Sequence, residues 1–296
     1  MLTKQQNGLI CCITAQTLWG LGVVFWPLLN YLPPITVLCL RLFCSLLFAG
    51  LLILYTKQFN NIKAIFKDTK NKSIIRNIFF AATILAINWG CYLYALHTKQ
   101  AIEASLGYYI TPIISILLGR IFFNDILNRY QVIAIILVLI GVTSGIISYG
   151  HIPYLGLAIG TTFALYGFFS KLINANAISV LFLETLILSP FCLGWIIYTE
   201  PQYAILGYHY SHYILLVGTI FFTGIPLMLF SYAATTVSLT TIGFMLYIAP
   251  SINFIFAVFY HGEPIKASDY ITFPIVWIAL AIYSLDMFYK IKNKKV

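Results

Sequence analysis

The sequence predicts an all-α polytopic membrane protein. It should have ten transmembrane helices, arranged as two inverted-topology five-helix repeats around a central cavity, with both termini cytoplasmic. Three observations predict this. First, 61% of the 296 residues are hydrophobic and only 8% are charged. A soluble domain carries about 25% charged residues, so this chain cannot cover a folded surface in water. Second, nearly uncharged runs recur from end to end, each close to the roughly 20 residues a helix needs to cross a hydrocarbon core about 30 Å thick. The runs lack the period-two alternation of a membrane barrel. Third, the stretch Glu103–Asp125 (EASLGYYITPIISILLGRIFFND) has a counterpart in Thr241–Glu263 (TIGFMLYIAPSINFIFAVFYHGE). At one constant offset, Pro250 falls under Pro112, Tyr247 under Tyr109, Tyr260 under Phe122 and Glu263 under Asp125.

In order, the runs place spans at 8–30, 33–56, 74–97, 101–123, 130–149, 152–173, 178–198, 212–233, 237–260 and 268–289. The first is too long for a signal-peptide core and lacks an A-x-A-like cleavage site, so it stays as a span. Arg41 lies in the second span and Asn88-Trp89 in the third. Between those two spans, Phe59, Ile62, Ile65 and Phe66 recur at near-helical spacing among lysines. That loop reads either as an amphipathic helix on an anionic leaflet or as a solvated basic connection. The fourth and ninth spans carry Pro112 and Pro250. The sixth ends near Lys171, the seventh holds Glu184, and Asp286 with Lys290 near the end of the tenth reads as a surface pair.

Charge fixes the expected orientation. Of the 17 lysines and arginines, Lys99 and Lys266 alone fall on the outer side when the amino terminus is inside, and Arg41 alone lies deep within a span rather than near its end. The positive-inside bias therefore accounts for the net charge of +9, and nucleic acid is not expected as a partner. The six cysteines are scattered through the spans without metal-ligand spacing, and the histidines have none either. No metal and no cofactor are expected. HExxH, GxSxG, Walker and GxGxxG patterns are lacking, so the chain is not expected to be an enzyme or to power transport from a nucleotide.

Five spans precede the midpoint and five follow. An odd number inverts the second half, giving repeats at 8–149 and 152–289 with a substrate site near the midplane between them. Each proline removes one helical hydrogen bond and displaces the carbonyl four residues earlier, that of Tyr108 and that of Leu246. In lipid such a carbonyl needs a partner, so the duplicated break points to a hydrated cavity or a hinge; a packed proline kink is the alternative. Arg41 lies roughly 10 Å deep at 1.5 Å per residue, and Glu184 lies at a similar depth from the other face. Charges at that depth should face the interior and have partners. The expected partners are Glu103 for Arg41 and Lys171 for Glu184, as two gates or two packing struts. Glu103 is also a candidate proton site. Trp19, Trp89, Tyr108, Tyr109, Tyr166 and Tyr247 are candidate cavity aromatics, with Tyr109 and Tyr247 recurring three residues before each proline. Asn88 in mid-membrane reads as a substrate contact or as a hydrogen bond between helices.

The motifs TLWG (17–20), LRLFCS (40–45), NWGCYLYAL (88–96), EASLGYYITP (103–112), LYG (165–167) with Lys171, LET (183–185), IGFMLYIAP (242–250) and VWIALAIY (276–283) resemble EamA-type permeases of the RarD branch, in the drug/metabolite transporter superfamily. The resemblance covers Thr14 to about Asp286, and EASLGY is its most specific part. It implies ten helices around a central cavity and a permease of the bacterial inner membrane. Three positions depart from the branch. Thr111 stands where Asn usually precedes the proline, beside the expected substrate face. Leu246 stands in place of Gln, and Asn124-Asp125 in place of Gly-Glu. The expected function is a secondary transporter of small organic solutes (drug-like compounds, amino acids or other metabolites), exporting by alternating access. The expected partners are the solute, protons as the coupling ion, and membrane lipid. An uptake facilitator is the alternative within transport. A membrane-embedded enzyme or assembly factor is the alternative outside it.

Overall fold

The computed structural model describes residues 3–67, 72–98, 100–203, 210–260 and 269–293. It is helical throughout, and ten of its helices are long and apolar enough to cross a membrane. They are Lys4–Leu29, Pro34–Thr56, Lys72–Ala95, Glu103–Phe122, Arg129–Ser148, Tyr154–Leu172, Ala177–Thr199, His212–Thr236, Leu239–Phe256 and Tyr270–Met287. Each span expected from hydropathy has its helix. Glu263, the counterpart of Asp125, lies outside the described residues.

Polar residues set the ends. Thr3 and Gln6 form a capping box that starts the first helix at Lys4, and Asn128 with Gln131 does the same at Arg129. These caps satisfy amide groups that the first helical turn leaves without partners. Asn124 closes the fourth span at φ 52, a left-handed conformation that asparagine tolerates better than most residues, which makes it a workable replacement for glycine there. The basic loop after the second span contains the helix Phe59–Lys67, which buries Ile65 and leaves Phe59 and Phe66 exposed. The helix that the first reading of that loop called for is present.

The spans pair in a pattern that repeats between the two halves. The first packs on the eighth and ninth, and the sixth packs on the third and fourth. The second packs on the seventh, the fifth on the tenth, and the fourth on the ninth. Small residues permit the closest crossings. A Cβ on Gly156 would lie 2.7 Å from the Glu103 carbonyl, and one on Gly160 would lie 3.1 Å from the Gly107 carbonyl. Between helices in lipid, such backbone proximity replaces the hydrophobic driving force available in water.

The two prolines differ in effect, contrary to the expectation of a matched pair of breaks. The ninth span is interrupted: one helix ends at Met245 and the next starts at Ile248, with Pro250 in its first turn. The fourth helix, Ala101–Phe122, runs unbroken through Pro112. There the Tyr247 hydroxyl donates to the Tyr109 carbonyl at 2.9 Å. That carbonyl is adjacent to the one that Pro112 deprives of its helical donor, so the opposite helix relieves the locality. Two further breaks have no counterpart in the prediction. The first span ends in a 3-10 turn at Trp26–Leu29, and the eighth is interrupted at Thr223.

Candidate functional site

A cavity of about 320 Å³ lies between the spans, from mid-depth toward the end of the bundle that carries the 30–34 connection. Of the residues singled out from the sequence, Trp19, Arg41, Asn88, Trp89, Tyr108, Thr111 and Pro250 line it. It draws on both sequence halves, because Phe163, Phe222, Thr223, Leu246, Ala249 and Asn253 complete the wall. Its size and mixed aromatic and polar lining are those of a small-molecule site.

Arg41 is the charged residue of this wall. Its guanidinium carbon sits 5.1 Å from the Trp26 ring centroid and 4.8 Å from that of Trp89. Indole faces attract a cation through their quadrupole, by about 0.5–2 kcal/mol each. That offsets part of the cost of holding a charge at this depth. Ser45 bonds the Arg41 main-chain carbonyl at 2.7 Å, and Gly224 packs against Ser45, so the break in the eighth span sits directly on the Arg41 turn.

The expected ion pairs do not form in this structure. Glu103 uses Oε2 to accept the Leu155 amide at 2.8 Å. It thereby caps the sixth helix, whose own N-cap is Pro153 and offers no side-chain bond. A carboxylate is favourable at a helix amino end, which explains why this role displaces a pairing with Arg41. Lys171 donates to the carbonyls of Val237 at 2.6 Å and Ala234 at 3.2 Å. These lie at the carboxyl end of the eighth span, where unpaired carbonyls attract a cation. Glu184 is buried instead beside Tyr166, whose hydroxyl donates to it at 3.4 Å, and its second oxygen has no hydrogen-bond partner.

Tyr109, Pro112 and Tyr247 lie away from the cavity wall, at the crossing of the fourth and ninth spans. The two tyrosine rings are 6.5 Å apart, and a Cβ on Gly243 would meet the Pro112 carbonyl at 3.0 Å. Beneath the cavity aromatic side chains pack against one another across the bundle. Trp19 and Phe163 meet at 5.8 Å between centroids, and Phe230 stacks on Tyr166 below them at 5.6 Å. Nearer the amino-terminal end, Asp125 accepts the Thr240 amide at 2.9 Å, and Thr241 bonds the Tyr283 hydroxyl at 2.7 Å.

Of the two roles expected of Asn88, the hydrogen bond between helices is present. It lines the cavity, and its amide donates to Ile159 O at 2.8 Å and Thr162 Oγ1 at 2.9 Å, tying the third span to the sixth. Thr111 lines the wall while its hydroxyl bonds the Gly107 carbonyl at 2.8 Å. Leu246, the other departure from the branch pattern, is also on the wall. Sequence reading missed Gln16, Thr223 and Asn253. Gln16 and Asn253 carried the same signal as Asn88, a lone amide within an apolar span. Thr223 was marked by the Gly224 and Pro226 that follow it inside a span.

Comparison with known proteins agrees with this architecture. The model of the EamA-like transporter family matches residues 6–144 and again 152–285. An uncharacterized transporter of Bacillus subtilis, YojE, is 32% identical over 286 residues, covering 96% of this chain and 95% of its own. The protein RarD of Streptomyces exfoliatus is 32% identical, covering 96% and 90%, and RarD of Escherichia coli is 30% identical, covering 97% and 96%. One crystal structure shares the fold at a TM-score of 0.73 and 15% identity, over 94% of this chain and 97% of that one. By kinship the chain is therefore a membrane transporter, and it belongs to the EamA-like transporter family as a RarD-type permease of the drug/metabolite transporter superfamily.

Proposed function

We propose that this protein is a secondary transporter that exports small organic solutes across the bacterial inner membrane by alternating access. In this reading, residues 8–149 and 152–289 are inverted halves and both termini face the cytoplasm. The observation that carries it is a cavity lined from both halves and closed at one end only by side-chain packing and a few hydrogen bonds. With the termini inside, the open side of the cavity is external. Trp19, Asn88, Trp89, Tyr108, Thr111 and Pro250 are then substrate contacts, while Tyr109, Pro112 and Tyr247 form the crossing about which the halves rock. The Lys171 bonds to Val237 and Ala234 hold the inner side shut.

Proton coupling belongs to Glu184 in this scheme, not to Glu103. Glu103 is committed to a helix cap, whereas Glu184 is a buried carboxyl on the seventh span facing a hydroxyl. Taking up a proton would change what Glu184 can bond, and with it the contact between the sixth and seventh spans. Proteoliposomes with an imposed pH gradient test the proposal. Gradient-driven solute movement that disappears in Glu184→Gln, while downhill exchange persists, is expected. Equal gradient-driven accumulation by Glu184→Gln would sink the assignment of that residue.

A further inference from the structure

The cavity wall carries hydrogen-bonding capacity that the protein does not use. Four of its side chains have a buried polar atom with no partner: Gln16 Nε2, Arg41 Nε, Thr223 Oγ1 and Asn253 Oδ1. Native proteins pair almost all such atoms, and four around one cavity mark groups kept for something that binds there. Three of the four can donate. Among the described lining residues no aspartate or glutamate balances Arg41. Its neighbours Trp26 and Trp89 stabilise the charge, but an indole ring offers no acceptor to Nε–H, which has no hydrogen-bond partner.

We propose that the cavity takes an organic monoanion, a carboxylate carried on a flat ring system, with the carboxylate on Arg41 and the ring against the aromatic wall. This names the substrate class of the site and rests on the transporter reading given above. A planar guanidinium matches a carboxylate in two parallel bonds, and both are strengthened by the low dielectric. A cationic solute would meet Arg41 with no acid beside it. A neutral solute would leave the guanidinium without a counter-charge at a depth where that is costly. An anionic lipid headgroup shares the chemistry of the carboxylate, and the test below separates the two.

The test uses the full-length protein in nanodiscs of phosphatidylcholine, titrated with indole-3-acetate, indole-3-acetamide or tryptamine and followed by thermal unfolding. A ligand that binds the folded state raises the unfolding temperature with the logarithm of its concentration over Kd, so titration midpoints rank the affinities. The acetate should stabilise, and the amide and the amine should do so at least about tenfold more weakly, the scale of a charge-assisted bond. Arg41→Gln should lose that preference, and Arg41→Lys should keep part of it. The wild-type ranking alone decides the matter if either variant folds poorly. Equal or better binding of the amide or amine overturns the proposal, as does no shift with any probe. Stabilisation by added phosphatidylglycerol with none by the acetate overturns it in favour of lipid. Carboxylate binding without flux would instead count against the transport reading, so the two failures are distinguishable.

Discussion

The hydroxyl of Tyr247 donates to the main-chain carbonyl of Tyr109 at 2.9 Å, across a separation of 138 residues. Those two tyrosines are equivalent positions of the internal repeat, so the repeat meets itself where the fourth and ninth spans cross. One member of the pair is spent on the backbone of the other, beside the carbonyl freed by Pro112. Tyr247→Phe removes only that donor, and with it a second hydrogen bond to a carbonyl of the fourth helix. It should lower stability by about 1–2 kcal/mol, read as a lower unfolding temperature in detergent, with solute binding unchanged because neither tyrosine lines the cavity.

Glu103 and Leu155 define a second prediction. Glu103→Ala removes the cap on the sixth helix and should cost about 1 kcal/mol, within the usual range for lost caps. Glu103→Gln keeps an acceptor oxygen and should cost less. Exchanging the charges of Arg41 and Glu103 should rescue nothing, because the two are not paired in this structure. Recovery of stability or flux in the double exchange would restore the ion-pair reading.

Most of the fold was legible because hydropathy alone separates spans from connections. The site was legible only in part. Trp19, Arg41, Asn88, Trp89, Tyr108, Thr111 and Pro250 could be nominated by residue type or by position near a proline, and they line the cavity. Tyr109 and Tyr247 carried the same repeat signal, yet they face the crossing. Helix rotation decides which side a residue takes, and packing at Gly243 and Gly107 sets that rotation. The charge pairs were inferred from depth alone. Depth does not reveal that helix ends at Leu155 and Val237 compete for Glu103 and Lys171.

Lys171 and Glu184 offer a third check. They share no hydrogen bond, and each has a partner of its own. The effects of Lys171→Met and Glu184→Gln on unfolding free energy should therefore add to within about 0.5 kcal/mol. A coupling energy well above that, measured by a double-mutant cycle, would mean that the two charges do meet. Lys171→Met alone should loosen the closed end and raise the reactivity of a cysteine placed at Val237.

The glycines at the crossings give a fourth. Gly156→Ala would place a Cβ 2.7 Å from the Glu103 carbonyl, and Gly243→Ala would place one 2.8 Å from Ile116 Cγ1. Backbone in the first case and a packed branched side chain in the second leave little room to yield. Each should cost about 1–3 kcal/mol, typical of an overpacked interface. Gly194→Ala, with nothing within 4 Å of the added carbon, is the control and should be near neutral.

The most direct measurement is the accessibility of Thr111→Cys, in a background whose six native cysteines are replaced by alanine. Thr111 lies on the cavity wall, one residue before Pro112. A membrane-impermeant maleimide is applied to right-side-out vesicles and, separately, to inverted ones. Alternating access predicts labelling from both faces, with no leak of the reagent into the lumen. Labelling from one face only, under every condition including a pH gradient of either sign, would contradict it.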